Sequence, residues 1–109
     1  MEKITQYKAI VKAIVSAAAR PDDPIFTQTI FDEDSGNYLL MMNGWEGEHR
    51  FYACLIHIEV KPDGKIWVHQ DNTDLIVVDQ LLEKGVPKKD MVLGFHAPIM
   101  RGDTEFAVA

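Results

Sequence analysis

Hydrophobic positions recur with two rhythms along the chain. Residues 3–19 place apolar side chains at Ile4, Tyr7, Val11, Ile14 and Ala18, with Ile10 and Val15 widening the stripe, the spacing of an amphipathic helix. Pro21 and Pro24 end it, because the residue before a proline is pushed out of the helical region. Residues 25–31 are rich in β-formers, Asp32 to Asn37 is a turn cluster, and residues 38–42 resume as a strand, so a hairpin is predicted. Asn43 to Gly47 is read as the next turn, with Trp45 packing across it. Residues 51–60 form the strongest strand. Simple alternation puts Tyr52, Cys54, Ile56, Ile58 and Val60 on its core face, and Phe51, Ala53, Leu55, His57 and Glu59 on a mixed face.

Lys61 to Gly64 fits a three-residue hairpin loop with Gly64 in the left-handed position, followed by a strand over residues 65–70. That loop pairs Lys61 with Lys65, Val60 with Ile66, Glu59 with Trp67, Ile58 with Val68, and His57 with His69. A second helix is expected over residues 74–84, with Asn72 or Thr73 as N-cap, Asp74 near the positive end of the dipole, and Gly85 and Pro87 as the stop. Residues 91–95 are extended. The tail lacks periodicity, although Phe106, Ala107 and Val108 are apolar enough to dock. The expected fold is a single two-layer α+β domain spanning residues 1–109: an N-terminal helix, a four-stranded antiparallel meander sheet, a second helix and a short C-terminal strand or tail.

Composition agrees with a globular domain: 109 residues, 47% apolar and 26% charged. The lone cysteine, Cys54, excludes an internal disulfide and a cysteine-based zinc site. On the core face it reads as a small buried hydrophobe, in keeping with a reducing, cytoplasmic setting. No run approaches the ~20 apolar residues of a membrane helix. Lys12 interrupts the most apolar N-terminal run and Glu2 argues against an export signal.

The net charge of -6 disfavours direct nucleic-acid binding, which draws on Lys and Arg. Its distribution matters more than its sum. Residues 1–20 carry Lys3, Lys8, Lys12 and Arg20 against Glu2, whereas residues 21–49 carry seven carboxylates and no Lys or Arg. Solvated turns account for that block; the sharper reading is a surface for a basic partner at Asp32, Glu33, Asp34, Glu46 and Glu48.

Phosphate-cradling glycine loops and nucleophile elbows are absent, so no catalytic or cofactor-binding residue is assigned. His57 and His69, facing each other across the sheet with Glu59 or Asp71 nearby, would be metal ligands or a pH-sensitive structural pair. No metal is assigned, and a small ligand-binding face at His57, Trp67 and His69 is kept as an alternative. The mixed face with Phe51, Leu55 and Trp67 is a self-association surface, so a homo-oligomer is expected.

Several stretches then combine in order: Cys54 to Ile58, Gly64 to Val68, Gln70-Asp71 with Thr73, Gly85 to Lys88 with Asp90, Val92 to His96 with Pro98, and Phe106 to Ala109. Together they resemble the XisI family, the fdxN element excision controlling factor proteins of cyanobacteria. The resemblance implies an α+β fold and a non-enzymatic accessory role beside a site-specific recombinase in excision of a DNA element during heterocyst differentiation. The implied partners are a nuclease-like companion, XisH, and a recombinase. An antitoxin-like restraint of such a nuclease is the alternative. Trp67 and Phe106 join the acidic residues as candidate partner contacts. His69 stands where relatives more often carry Gln, and Asp74 where they more often carry Glu; the first weakens a metal role for His57 and His69.

Overall fold

A computed structural model of the chain describes residues 2–73, 75–102 and 104–108. The N-terminal stripe forms α1 (Glu2–Ala18), which buries Tyr7, Val11, Ile14, Val15 and Ala18. Four strands follow: β1 (Ile25–Asp32), β2 (Asn37–Glu46), β3 (His49–Val60) and β4 (Ile66–Asp71). They are consecutive antiparallel neighbours. Then come α2 (Val77–Glu83), a 3-10 turn (Lys88–Asp90), β5 (Met91–Leu93) and α3 (Pro98–Arg101). The short C-terminal strand is thus the fifth member of the sheet, and it runs parallel to β4. The connection through α2 makes this possible, since parallel neighbours need a crossover. Asp74, read as the acidic start of the second helix, lies outside the described residues.

Tyr38 and Leu40 of β2, Ile56, Ile58 and Val60 of β3, and Ile66 and Val68 of β4 meet α1 and the buried Val77 and Leu81 of α2. Each such side chain contributes about 1.5–3 kcal/mol of burial, so this layer carries the fold. The expected loop closes β3 onto β4: the Lys61 N–H donates to Lys65 O at 3.0 Å, and Val60, Glu59 and Ile58 lie opposite Ile66, Trp67 and Val68.

Two β-bulges depart from the alternation. Leu40 lies opposite Ile56 but Met41 lies opposite Cys54, leaving Leu55 as an extra residue. Directly opposite residues share a sheet face. Cys54 and Tyr52 therefore turn to the outer face, away from the helices, and Phe51 and Ala53 to the inner one. Tyr52 is accordingly 63% exposed rather than buried, and Cys54 is half-buried opposite Met41. In β4, His57 lies opposite Gln70 and Ile58 opposite Val68, which leaves His69 as the extra residue.

The β2–β3 turn also differs. Asn43 to Glu46 continue β2, and the loop is only Gly47 and Glu48, with Glu46 opposite His49. Gly47 has φ 60°, in the first loop position that a two-residue hairpin reserves for glycine. β1 stops beside Gly44 and β4 beside Ile56, so the hairpin end projects as a two-stranded ribbon.

The cap of α2 is neither Asn72 nor Thr73. Asp71 reaches forward instead: its Oδ2 accepts from the Val77 N–H at 2.7 Å, and its Oδ1 from the Thr73 hydroxyl at 2.6 Å. Between them Ile76 sits at φ 50°, a conformation a β-branched residue adopts at a cost of about 1–2 kcal/mol. The cap offsets that strain.

Candidate interaction surfaces

The acidic block resolves into two groups at opposite ends of β2. At ~3.3 Å per residue, ten strand residues hold them roughly 30 Å apart, so they do not form one patch. At the first end, Asp32 Oδ1 accepts from the backbone N–H groups of Asp34 and Ser35 at 3.1 and 3.3 Å. Those bonds, that from Ser35 above all, hold its carboxyl below the ordinary range. Glu33 is tied inward: Oε1 accepts from the Tyr38 hydroxyl at 2.5 Å and Oε2 from Lys12 Nζ at 3.0 Å. Both lower its pKa, Tyr38 first. Lys8 Nζ donates to the Glu33 carbonyl at 3.0 Å. The basic stripe on α1 is therefore spent on this turn and, at Lys3, on Asp90 at 3.0 Å. Arg20 Nη1 donates to the carbonyls of Ala17 and Ala19. Asp34 is exposed, and its carboxylate meets no partner among the described residues.

At the other end, Glu46 and Glu48 are exposed beside the ribbon turn and likewise meet no partner among the described residues. Glu46 and Trp45 line a cleft of about 420 Å³ with Asp23, Pro24 and Ile25. Trp45 does not pack across a turn. It is 58% exposed, directly opposite Arg50, whose guanidinium lies 5.2 Å from the Trp45 ring and 5.2 Å from the Tyr52 ring. This aromatic–arginine ladder was hidden in the sequence by the misplaced turn; the signal for it is Gly47, the glycine that places Trp45 across from Arg50.

The outer face over β3 and β4 gathers the other candidates. Trp67 is half-buried between Lys61 Nζ, 4.1 Å from its ring centroid, and the Arg101 guanidinium at 5.1 Å. Its ring stacks on His69 at 5.8 Å, and its indole N–H is buried without a hydrogen-bond partner among the described residues. The His57 and His69 rings do meet, with centroids 4.7 Å apart, despite the bulge. Their outer nitrogens are already engaged. His57 Nε2 donates to Asn37 Oδ1 at 2.8 Å, and His69 Nε2 to Glu59 Oε1 at 2.9 Å. Burial, then His69, pushes the His57 pKa down against the pull of Glu59, so His57 is neutral near pH 7. Among the described residues, no three His, Cys, Asp or Glu side chains converge as metal ligands. Cys54 has its thiol pKa raised by burial, which suits an inert side chain. Phe106 packs against the core with Lys88 Nζ 5.7 Å from its ring, and Ala107 bridges to Val92. The candidate contacts thus lie in three places, the β1–β2 turn, the ribbon end and the β4–β5 side.

The XisI protein family model matches residues 1–108. The chain belongs to the XisI family. A crystal structure of fdxN element excision controlling factor XisI from Anabaena variabilis is similar, with a TM-score of 0.82 and 35% identity over 98% of this chain and 99% of that one. A XisI-like protein of the same organism has a TM-score of 0.88 and 37% identity over 97% and 99% of the two chains. No curated protein matches the chain. At these TM-scores, the α+β fold described above matches that of the XisI structures. No helix among the described residues is long and apolar enough to cross a membrane.

Proposed function

We propose that this chain is a non-enzymatic accessory factor that controls excision of a DNA element by binding another protein, a nuclease-like companion of the XisH kind or a recombinase. Membership of a family in which one solved protein is called an excision controlling factor supports the role. The observation that carries the mode of action is the ribbon end, where Trp45 is 58% exposed next to Glu46 and Glu48, exposed carboxylates without a partner among the described residues. A DNA-handling protein presents Lys and Arg to phosphate, and an acidic rim around an aromatic anchor complements such a surface and speeds encounter. Asp34 offers a further exposed carboxylate at the other end of β2, whereas Asp32 is committed to its own turn and Glu33 to Tyr38 and Lys12.

The test is capture of a tagged XisH-like companion by the purified chain. A variant carrying Glu46→Lys and Glu48→Lys should lose most of the captured companion and the salt dependence of capture. Retention at the parental level would refute the acidic-end contact. Whether the bound companion is restrained or activated is then read from its nuclease activity with and without this chain.

A further inference from the structure

The ribbon leaves one stretch of sheet edge open. β3 has β2 on one side from His49 to Glu59, but on the other side β4 reaches only to Ile56. Beyond that point the Asn72 N–H donates to Leu55 O at 2.7 Å and the Gln70 side chain to Cys54 O. From His49 to Ala53 the outer side of β3 meets no strand among the described residues. An edge of this kind is normally blunted by proline, lysine or an inward charge. His-Arg-Phe-Tyr-Ala holds no proline or lysine, and its one charge, Arg50, stacks on the flat of the ribbon rather than guarding the edge.

We infer that residues 49–53 of β3 pair antiparallel with the same residues of a second copy, joining two sheets across a two-fold axis at Phe51. Three observations select a second copy as the occupant. The open run is symmetric about Phe51, so a two-fold axis there uses all of it, with His49 opposite Ala53 and Arg50 opposite Tyr52 of the other copy. The Gly47-Glu48 turn of each ribbon then ends where β4 of the other copy leaves at Asn72, so no existing strand is displaced. Finally, the pairing covers side chains otherwise left in water. Tyr52 is 63% exposed, and each copy's Arg50, already against Trp45 and Tyr52 of its own ribbon, gains the Tyr52 ring of the other copy, while Trp45 on β2 stays open. At ~150–250 Å² per aromatic side chain, the two exposed Tyr52 rings supply roughly 200–300 Å². That is about a sixth to a quarter of the ~1,200 Å² at which stable interfaces begin, and the paired main chains and Phe51 add to it. The inference is independent of the companion proposed above, because it concerns the chain alone.

Size-exclusion chromatography with light scattering across a dilution series tests it. The unmodified chain should run at twice its 12.3 kDa mass and dissociate on dilution. Tyr52→Lys sets an ammonium against Arg50 of the other copy and should raise the dimer Kd by about tenfold or more, with an unchanged unfolding midpoint in the monomer. Adding Arg50→Glu to that variant should restore the dimer through the new Glu–Lys pairing. In a Cys54→Ser background, Phe51→Cys lies on the axis and should form an intermolecular disulfide under mild oxidation. A monomer at every concentration, or a dimer indifferent to Tyr52→Lys, would overturn the inference.

Discussion

The buried polar network between α1 and the turn before β5 gives the sharpest test of how the helix is fastened. Asp90 is 7% exposed, and a single oxygen, Oδ2, accepts from the Tyr7 hydroxyl at 2.5 Å and from Lys3 Nζ at 3.0 Å. Burial disfavours the charged carboxylate, but the Tyr7 hydrogen bond and Lys3 outweigh it and the net pKa is lowered. Burial, followed by the bond to Asp90, pushes the Tyr7 pKa up to about 12. Tyr7→Phe removes the buried donor and keeps the ring. Lys3 is half-exposed, so it compensates little. A hydrogen bond to a charged group contributes about 1.5–3 kcal/mol. Loss of about 2 kcal/mol at pH 7 should lower the unfolding midpoint by roughly 8–15 °C for a domain of this size.

The pH dependence has a definite sign. Asp90 is a depressed carboxylate, so its contribution is present above the unfolded value near ~3.9 and lost as pH falls through the lower folded value. The gap between Tyr7→Phe and the unmodified chain should therefore shrink below about pH 4. Tyr7 is raised, so its contribution is intact below pH 10 and lost as pH rises from 10 towards about 12. Tyr7→Phe should flatten that alkaline decline without abolishing it, because Tyr38 is also raised, by burial and by Glu33. Thermal melts of both proteins across pH decide the matter. A loss under about 0.5 kcal/mol at pH 7, or the same loss at pH 3, would refute the assignment.

Asp71→Ala should cost about 1–2 kcal/mol, because it removes the α2 cap and releases Thr73; denaturant unfolding measures it, and an effect near zero would mean Ile76 is not held by that carboxylate. His57 supplies a pH test near neutrality. Its pKa is lowered from 6.5, so its contribution is present above pH 6.5 and lost as pH falls through the lower folded value. His57→Gln should give a shallower fall in melting temperature between about pH 7 and pH 5, and parallel curves for the two proteins would count against the buried neutral imidazole.

The sequence rhythm showed what depends on period and local turn chemistry. The α1 stripe, the hairpin loop at Gly64 and the pairing of Val60, Glu59 and Ile58 with β4 were all readable, since each is fixed within a few residues. The outer face was not. A bulge adds one residue and flips every side chain beyond it, and nothing in the run around Leu55 marks the insertion. Simple alternation therefore assigns Tyr52 and Cys54 to the core, and the bulge turns them outward. The parallel β5 is set by where α2 packs, and the Asp71 cap acts across six positions, beyond the span of a sequence cap. Glu33 shows the same limit: only tertiary contact with Tyr38 and Lys12 distinguishes it from Asp34 beside it.

The bulge at Leu55 also separates stability from recognition. On the side of Ile56, the alternate residues of β3 fill the core and cannot change without loss of packing. On the side of Cys54, the same strand runs out into a ribbon whose Trp45, Arg50 and Tyr52 face water and contribute little to the core. Substitutions there should alter what the protein meets while leaving its fold intact. The acidic tip and the open edge occupy different parts of that ribbon, the tip at Glu46 and Glu48 and the edge at residues 49–53. A dimer closed through the edge carries its two tips on opposite sides of the axis. Each tip lies beside the other copy's Asn72 and remains open to solvent on its far side, so self-pairing and the binding of a basic companion are compatible, and one assembly presents the companion's site twice.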